Sequence, residues 1–111
     1  MIEYSDFAKL DLRVGLIIHC EKVPRSNNLF KLIIKCGEKE KRQIITGISQ
    51  FYSPEELVNR KIVVLVNLKP KRIMGLESHG MLLAADLNNE AFLLNIDERN
   101  GKSIPPGSIV K

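Results

Sequence analysis

The sequence predicts an all-β fold: a five-stranded barrel, with a short helix between the third and fourth strands and a β extension at the C-terminal end. Three observations carry this prediction. Apolar and polar residues alternate along the first half of the chain, the period of half-buried strands. The strand-like segments are short and are separated by clusters of Gly, Pro, Asn and Ser. One segment alone carries the signature of a helix start. The 111 residues suit a single domain spanning residues 1–111, with no internal repeat and no linker.

The elements follow in order. In residues 12–20, Leu12, Val14, Leu16, Ile18 and Cys20 form one apolar face of a long first strand. Gly15 inside it marks a bend or a close backbone approach. Pro24-Arg25-Ser26-Asn27-Asn28 is turn chemistry. A second strand over 29–36 sets Phe30, Leu32, Ile34 and Cys36 on one face and Lys31 and Lys35 on the other. The polar stretch 37–40 connects it to a third strand over 42–48. Next, Ser53 is an N-cap, Pro54 suits the first helical position, and Glu56 completes a capping box. The fourth strand, 62–67, is a nearly continuous apolar run, which implies cover on both faces. A basic loop, Lys69-Pro70-Lys71-Arg72, leads to a fifth strand over 80–85, and shorter extended pieces are expected over 91–96 and 108–110. Residues 1–10 and 98–108 read as irregular. Three strands, a short helix, two strands and an extension is the element order of an OB-fold, whose sheet face and loops bind oligonucleotides.

Composition narrows the function. Hydrophobic residues make up 44% of the chain, enough for a globular core. No apolar run approaches the ~20 residues of a membrane span, so no membrane partner is expected. The opening Met1-Ile2-Glu3-Tyr4-Ser5-Asp6 has neither the basic nor the apolar character of a signal peptide, and a cytoplasmic protein is the expectation. Cys20 and Cys36 match no metal-ligand spacing and read as buried thiols. His19 and His79 are the only histidines, without a nucleophile in a recognisable motif, a phosphate-cradling glycine loop or paired carboxylates. No enzyme, metal or cofactor is expected.

The net charge of +4, from 17 Lys and Arg against 13 Asp and Glu, is only mildly basic, so its placement matters more than its total. The informative segment runs from Asn67 to Met81. Lys69, Lys71 and Arg72 crowd around Pro70, which stiffens the loop and lowers the entropy lost on binding. Cations held this way suit a phosphate backbone. Ser78 offers a hydroxyl donor, and Met81 an apolar contact. Lys31 and Lys35 on the second strand, with Lys41 and Arg42 opening the third, are placed to extend the same surface. The competing reading is a solvated loop and the solvent face of a sheet. Phe30 falls on an apolar face, so stacking on exposed aromatics is not signalled, and recognition of folded RNA by shape and phosphate contacts fits better.

These residues resemble a known family. Asp11-Leu12-Arg13-Val14-Gly15, then Tyr52-Ser53-Pro54-Glu55-Glu56-Leu57, then Asn67 to Gly75 with Ser78-His79-Gly80-Met81-Leu82-Leu83-Ala84-Ala85, are similar to the successive motifs of the tRNA-binding domain. That domain occurs at the C-terminus of many methionyl-tRNA synthetases, in the endothelial-monocyte-activating polypeptide and in free-standing homodimers. The match runs from about residue 6 to residue 111. The resemblance implies an OB-fold whose C-terminal additions help form a two-fold homodimer, tRNA bound by shape, no catalysis, and an aminoacyl-tRNA synthetase as a further partner. Carried over by position, Lys69, Lys71 and Arg72 would meet phosphates. Asn67, Ser78 and Met81 would lie on the adjoining surface, and Lys31 and Arg42 fall where relatives tend to be basic. Two positions depart. Asn28 stands where relatives carry a cation, with Arg25 nearby, and His79 stands where relatives are often acidic. A branch of the same family acts as export-related peptide-binding chaperones, and a docking module for a synthetase complex is the third reading. The intact basic loop and the Gly80-Met81 pair favour tRNA.

Overall fold

The computed structural model describes all residues, 1–111. Ten strands and three short helical segments are present: α1 Tyr4–Phe7, β1 Leu12–Lys22, β2 Phe30–Lys35, β3 Arg42–Thr46, α2 Pro54–Leu57, β4 Lys61–Leu65, β5 Lys71–Ile73, β6 Leu76–Ser78, β7 Met81–Leu82, β8 Ala84–Leu87, β9 Glu90–Leu93, a 3-10 turn Arg99–Gly101, and β10 Ile109–Val110. The main sheet runs β3-β2-β1-β4-β7, with β10 added beside β1. All its pairings are antiparallel. The His79 N–H donates to the Gln43 carbonyl at 2.8 Å and draws the two ends of this curved sheet together. The five-stranded OB-type barrel expected from the sequence is the observed architecture.

The core fills the barrel. Phe30, Leu32, Ile34 and Cys36 are buried, as alternation along β2 dictates, and Ile17, Ile44, Ile62, Val64 and Leu57 of α2 join them. The helix is one turn long and starts as predicted. The Ser53 N–H donates to Glu56 Oε1 at 2.8 Å, and the Glu56 N–H donates to Ser53 Oγ at 3.4 Å. That closed box fixes where Leu57 enters the core.

The first strand departs from the simple alternation. Its register against β2 shifts between Ile17 and His19. This bulge changes the phase of the strand. The barrel therefore receives Ile17 and Cys20, while Leu16 and Ile18 are only half-buried. Leu12 points the other way, into a second small cluster with Val63 and Leu65, which Phe7, Leu83, Ile96 and Val110 cover. Gly15 stands on the barrel side. A Cβ there would lie 2.8 Å from Ile34 Cγ2 and 2.9 Å from Val64 Cγ2, so the close approach read from the sequence is real.

The two segments read as irregular, 1–10 and 98–108, each contain a short helical turn, α1 and the 3-10 turn Arg99–Gly101. Residues 4–7 form α1, and Phe7 packs on the second cluster. The expected fifth strand over 80–85 divides. Met81–Leu82 pairs with β4, and Ala84–Leu87 turns away to pair with Glu90–Leu93.

Candidate nucleic-acid interface

The basic loop is a hairpin. Lys69 and Pro70 lead into β5, which pairs with β6 through Lys71↔Ser78, Arg72↔Glu77 and Ile73↔Leu76. Sequence reasoning took residues 69–72 as a loop because three residues of strand are too few to show a period. The hairpin base is bound to β3. Gln43 Nε2 donates to the Glu77 carbonyl at 2.9 Å, and the Ile45 N–H donates to Ser78 Oγ at 3.0 Å.

Contrary to what the resemblance implies, Ser78 does not lie on the surface. It is buried, at 4% exposure, and its hydroxyl both accepts from Ile45 and donates to the Gly80 carbonyl at 3.3 Å. It cannot reach a ligand from there. Its part is to seat the hairpin on the barrel edge, where a backbone N–H of β3 would otherwise lack a partner. Gly80 follows at φ +121°, with space for no side chain, since a Cβ would sit 2.8 Å from the Leu65 carbonyl. Beyond it Met81 emerges 46% exposed, opposite Leu65 of β4.

The expected cations divide into free and engaged groups. Lys69 and Lys71 are exposed and take part in no salt bridge. Arg72 is exposed; its Nη1 donates to the Gly75 carbonyl at 3.1 Å, bracing the hairpin turn, and Glu77 stands 4.0 Å away. These three are open to a polyanion. Arg42 is committed elsewhere. It grips Glu38 through two contacts, 2.6 and 2.8 Å, and donates to the His79 carbonyl at 2.9 Å. The guanidinium holds the Glu38 carboxyl below its ordinary range, chiefly through this hydrogen bond. Lys31 meets Glu21 at 2.7 Å and lowers that carboxyl in the same way. Lys31 also lines a cleft of about 250 Å³ with Lys22, Val23, Pro24, Glu21 and Leu76, between the β1–β2 turn and the hairpin.

Asn67 is exposed, but its amide is spent on the chain itself. Oδ1 accepts from the Asp11 N–H at 2.8 Å, and Nδ2 donates to the Lys9 carbonyl at 2.7 Å. The structure thus gathers Lys71, Arg72 and Lys69 on and beside one hairpin, with Arg42 at its base and Lys31 across a cleft, and it assigns Ser78 and Asn67 to holding the frame.

Two of the sequence motifs prove to be framework. Arg13 chelates Asp11 at 2.6 and 3.3 Å and donates to the Gly107 carbonyl at 3.1 Å, which ties the start of β1 to the C-terminal segment. The Tyr52 hydroxyl accepts from the Leu93 N–H at 3.1 Å, and the Arg60 guanidinium lies 5.3 Å from its ring centre. Cys20 and Cys36 are free, buried thiols, and burial pushes each up to about 11, so both stay protonated at neutral pH. No group of three or more His, Cys, Asp or Glu side chains is placed to hold a metal ion, and no helix is long and apolar enough to cross a membrane.

Comparison with known proteins follows this geometry. A family model described as a putative tRNA binding domain matches residues 12–106. A methionine–tRNA ligase of Methanothrix thermoacetophila is 49% identical over 96% of this chain, and that of Thermotoga maritima 50% identical over 98%. The chain spans only 15% and 16% of the length of those two ligases. Among solved structures, a MetRS-related protein from Pyrococcus horikoshii superposes with a TM-score of 0.89 at 38% identity, covering 100% of this chain and 98% of that one. The chaperone CsaA of Bacillus anthracis superposes with a TM-score of 0.85 at 31% identity, covering 100% and 99%. With the family model matching residues 12–106 and relatives about half identical along nearly all of its length, this chain belongs to the tRNA-binding domain family.

Proposed function

We propose that the chain binds tRNA without catalysing a reaction, reading the folded RNA through phosphate contacts from the β5–β6 hairpin. The observation that carries this reading is the hairpin itself. Lys71 and Arg72 stand exposed on an element pinned to the barrel edge by Gln43 and Ser78, and Lys69 stands exposed just before it. A rigid carrier lowers the entropy lost when the cations settle on phosphates, and counterion release supplies the affinity. Met81 adds an apolar contact beside it. Lys31 and Arg42 contribute less than the sequence suggests, because Glu21 and Glu38 already offset their charge.

The functional unit is a homodimer in this reading, working in the cytoplasm, free-standing or alongside an aminoacyl-tRNA synthetase. What supports the dimer is the β8–β9 hairpin. Its inner face packs Leu93 and Ala91 against the core, while Ala85, Leu87 and Phe92 share the outer face and are exposed. A second reading, peptide binding, draws support from the likeness to CsaA, described as a chaperone. The two readings diverge in their response to salt. The test is a titration of the protein with mixed tRNA, duplex DNA and an unfolded polypeptide at two salt concentrations. Binding that favours tRNA and weakens steeply with salt upholds the tRNA reading. Salt-insensitive binding to polypeptide, with none to tRNA, transfers the function to the second.

A further inference from the structure

Six non-glycine residues adopt left-handed backbone: Arg25, Asn59, Met74, Asn88, Asn89 and Asn100. Four are asparagine, the residue that tolerates this region best after glycine. The chain even supplies an internal control, because the β8–β9 hairpin turns through Asn88-Asn89, at φ 51° and 68°. The β5–β6 hairpin turns through Met74-Gly75, at φ 49° and 79°. Both are two-residue hairpin turns in which both central residues have positive φ, where Asn-Gly is the favoured pair. Met74 is the disfavoured choice, and it is 55% exposed at the tip, so no core packing compensates. The other departure is Arg25. It is the third residue of a turn closed by the Ser26 N–H to the Val23 carbonyl at 3.2 Å, with Pro24 second, a place that normally takes Gly or Asn. These two turns flank the same cleft, whose walls include Pro24, Val23 and Leu76.

We propose that Met74 and Arg25 are RNA contacts presented by these two strained turns. Met74 packs on an unstacked nucleobase, and Arg25 meets a phosphate on the other side of the cleft. The proposal rests on the tRNA-binding reading and deepens it. A long, flexible, polarisable side chain conforms to the face of any base, and bases splayed from RNA loops are the parts of folded RNA open to such contact. Lys71 and Arg72, three and two residues before Met74, hold the neighbouring phosphates. Strain kept at an exposed position, against the choice made at four others in the same chain, is the mark of a contact group.

The test compares the wild type with Met74→Leu, Met74→Ala, Met74→Asn and Arg25→Asn, each titrated with tRNA at several salt concentrations and each melted. Asn suits both turns, so Met74→Asn and Arg25→Asn keep or raise the melting temperature. Met74→Asn lowers tRNA affinity about fivefold with an unchanged salt slope, because an apolar contact releases no counterions. Met74→Leu stays within about twofold of the wild type, and Met74→Ala falls between them. Arg25→Asn weakens binding and reduces the slope by about one. Wild-type affinity in both asparagine variants overturns the inference alone, as does an affinity order in the Met74 series that follows melting temperature instead of side-chain apolarity. A wild type that fails to bind tRNA at low salt overturns the tRNA reading and this inference with it.

Discussion

At the scale of single residues, the proposed interface separates groups that would meet tRNA from groups that place them. In that reading Lys69 and Arg72 are of the first kind. Replacing both with Ala weakens binding across all tRNA species and flattens the dependence of affinity on salt by about two. Filter binding at several salt concentrations checks this, and unchanged affinity in the folded double variant refutes the site. Ser78 belongs to the second kind. Ser78→Ala leaves the Ile45 N–H unsatisfied in a buried position, at a cost of about 1–3 kcal/mol. Thermal or urea melting reads the loss. Affinity for tRNA also drops, because the hairpin loses its seat, but the salt slope holds, since no phosphate contact is removed. Sequence reasoning could see that a hydroxyl next to a basic segment suits a phosphate. It could not see that the hydroxyl faces inward. That depends on β6 lying against β3, a contact 33 residues apart in sequence that no local pattern reports.

At the scale of elements, what was legible followed from periodicity and caps, and what was hidden followed from phase changes and short strands. Burial along β2 matched its alternation residue by residue, and the capping box announced α2 from Ser53 onward. The bulge at Ile18 was not visible, because both phases of Leu16-Ile17-Ile18 are apolar. The β8–β9 hairpin was partly hidden by Leu82-Leu83-Ala84-Ala85, which reads as one strand although its residues join two sheets. The element caps also predict the acid response. Ser53 holds the Glu56 carboxyl below its ordinary value, and Lys61 does the same for Glu98, which it meets at 2.6 Å, through hydrogen bonds first of all. A carboxyl depressed in the folded state contributes stability that is complete above its unfolded value, about 4.3, and disappears as pH falls through the lower folded value. Glu21 and Glu38 act in the same sense. The melting temperature is therefore expected to hold from neutrality down to about pH 5 and to fall steadily below about pH 4.3. A melting temperature flat down to pH 3 would show that these bonds contribute nothing to the fold.

At the scale of the whole molecule, the C-terminal quarter carries the case for assembly. Residues 84–111 bring Ile96 and Val110 over the second cluster on the far side of β1 and β4 and Leu93 into the barrel core, and they are anchored by Arg13 to Gly107 and by Tyr52 to Leu93. This addition leaves several large apolar side chains exposed. Leu87 is 60% exposed, Phe92 43%, Leu94 41% and Ile109 61%. Leu87 and Phe92 share one face of the β8–β9 hairpin with Ala85, and exposed apolar side chains gathered in this way mark an interaction surface. A second copy of the chain would cover it by two-fold symmetry, the commonest form of self-association. Replacing Leu87 and Phe92 together with Glu places charge on that face while leaving Leu93, Ala91 and the barrel untouched. Sedimentation equilibrium is expected to give twice the chain mass for the wild type and the chain mass for the double variant. If one tRNA engages both hairpins of a dimer, the variant also loses the avidity of the second site, and its affinity falls well beyond the factor of two set by site number. If each hairpin binds its own tRNA, affinity per chain is unchanged while the mass halves. A wild type that sediments as a single chain would instead assign the β8–β9 face to a different protein.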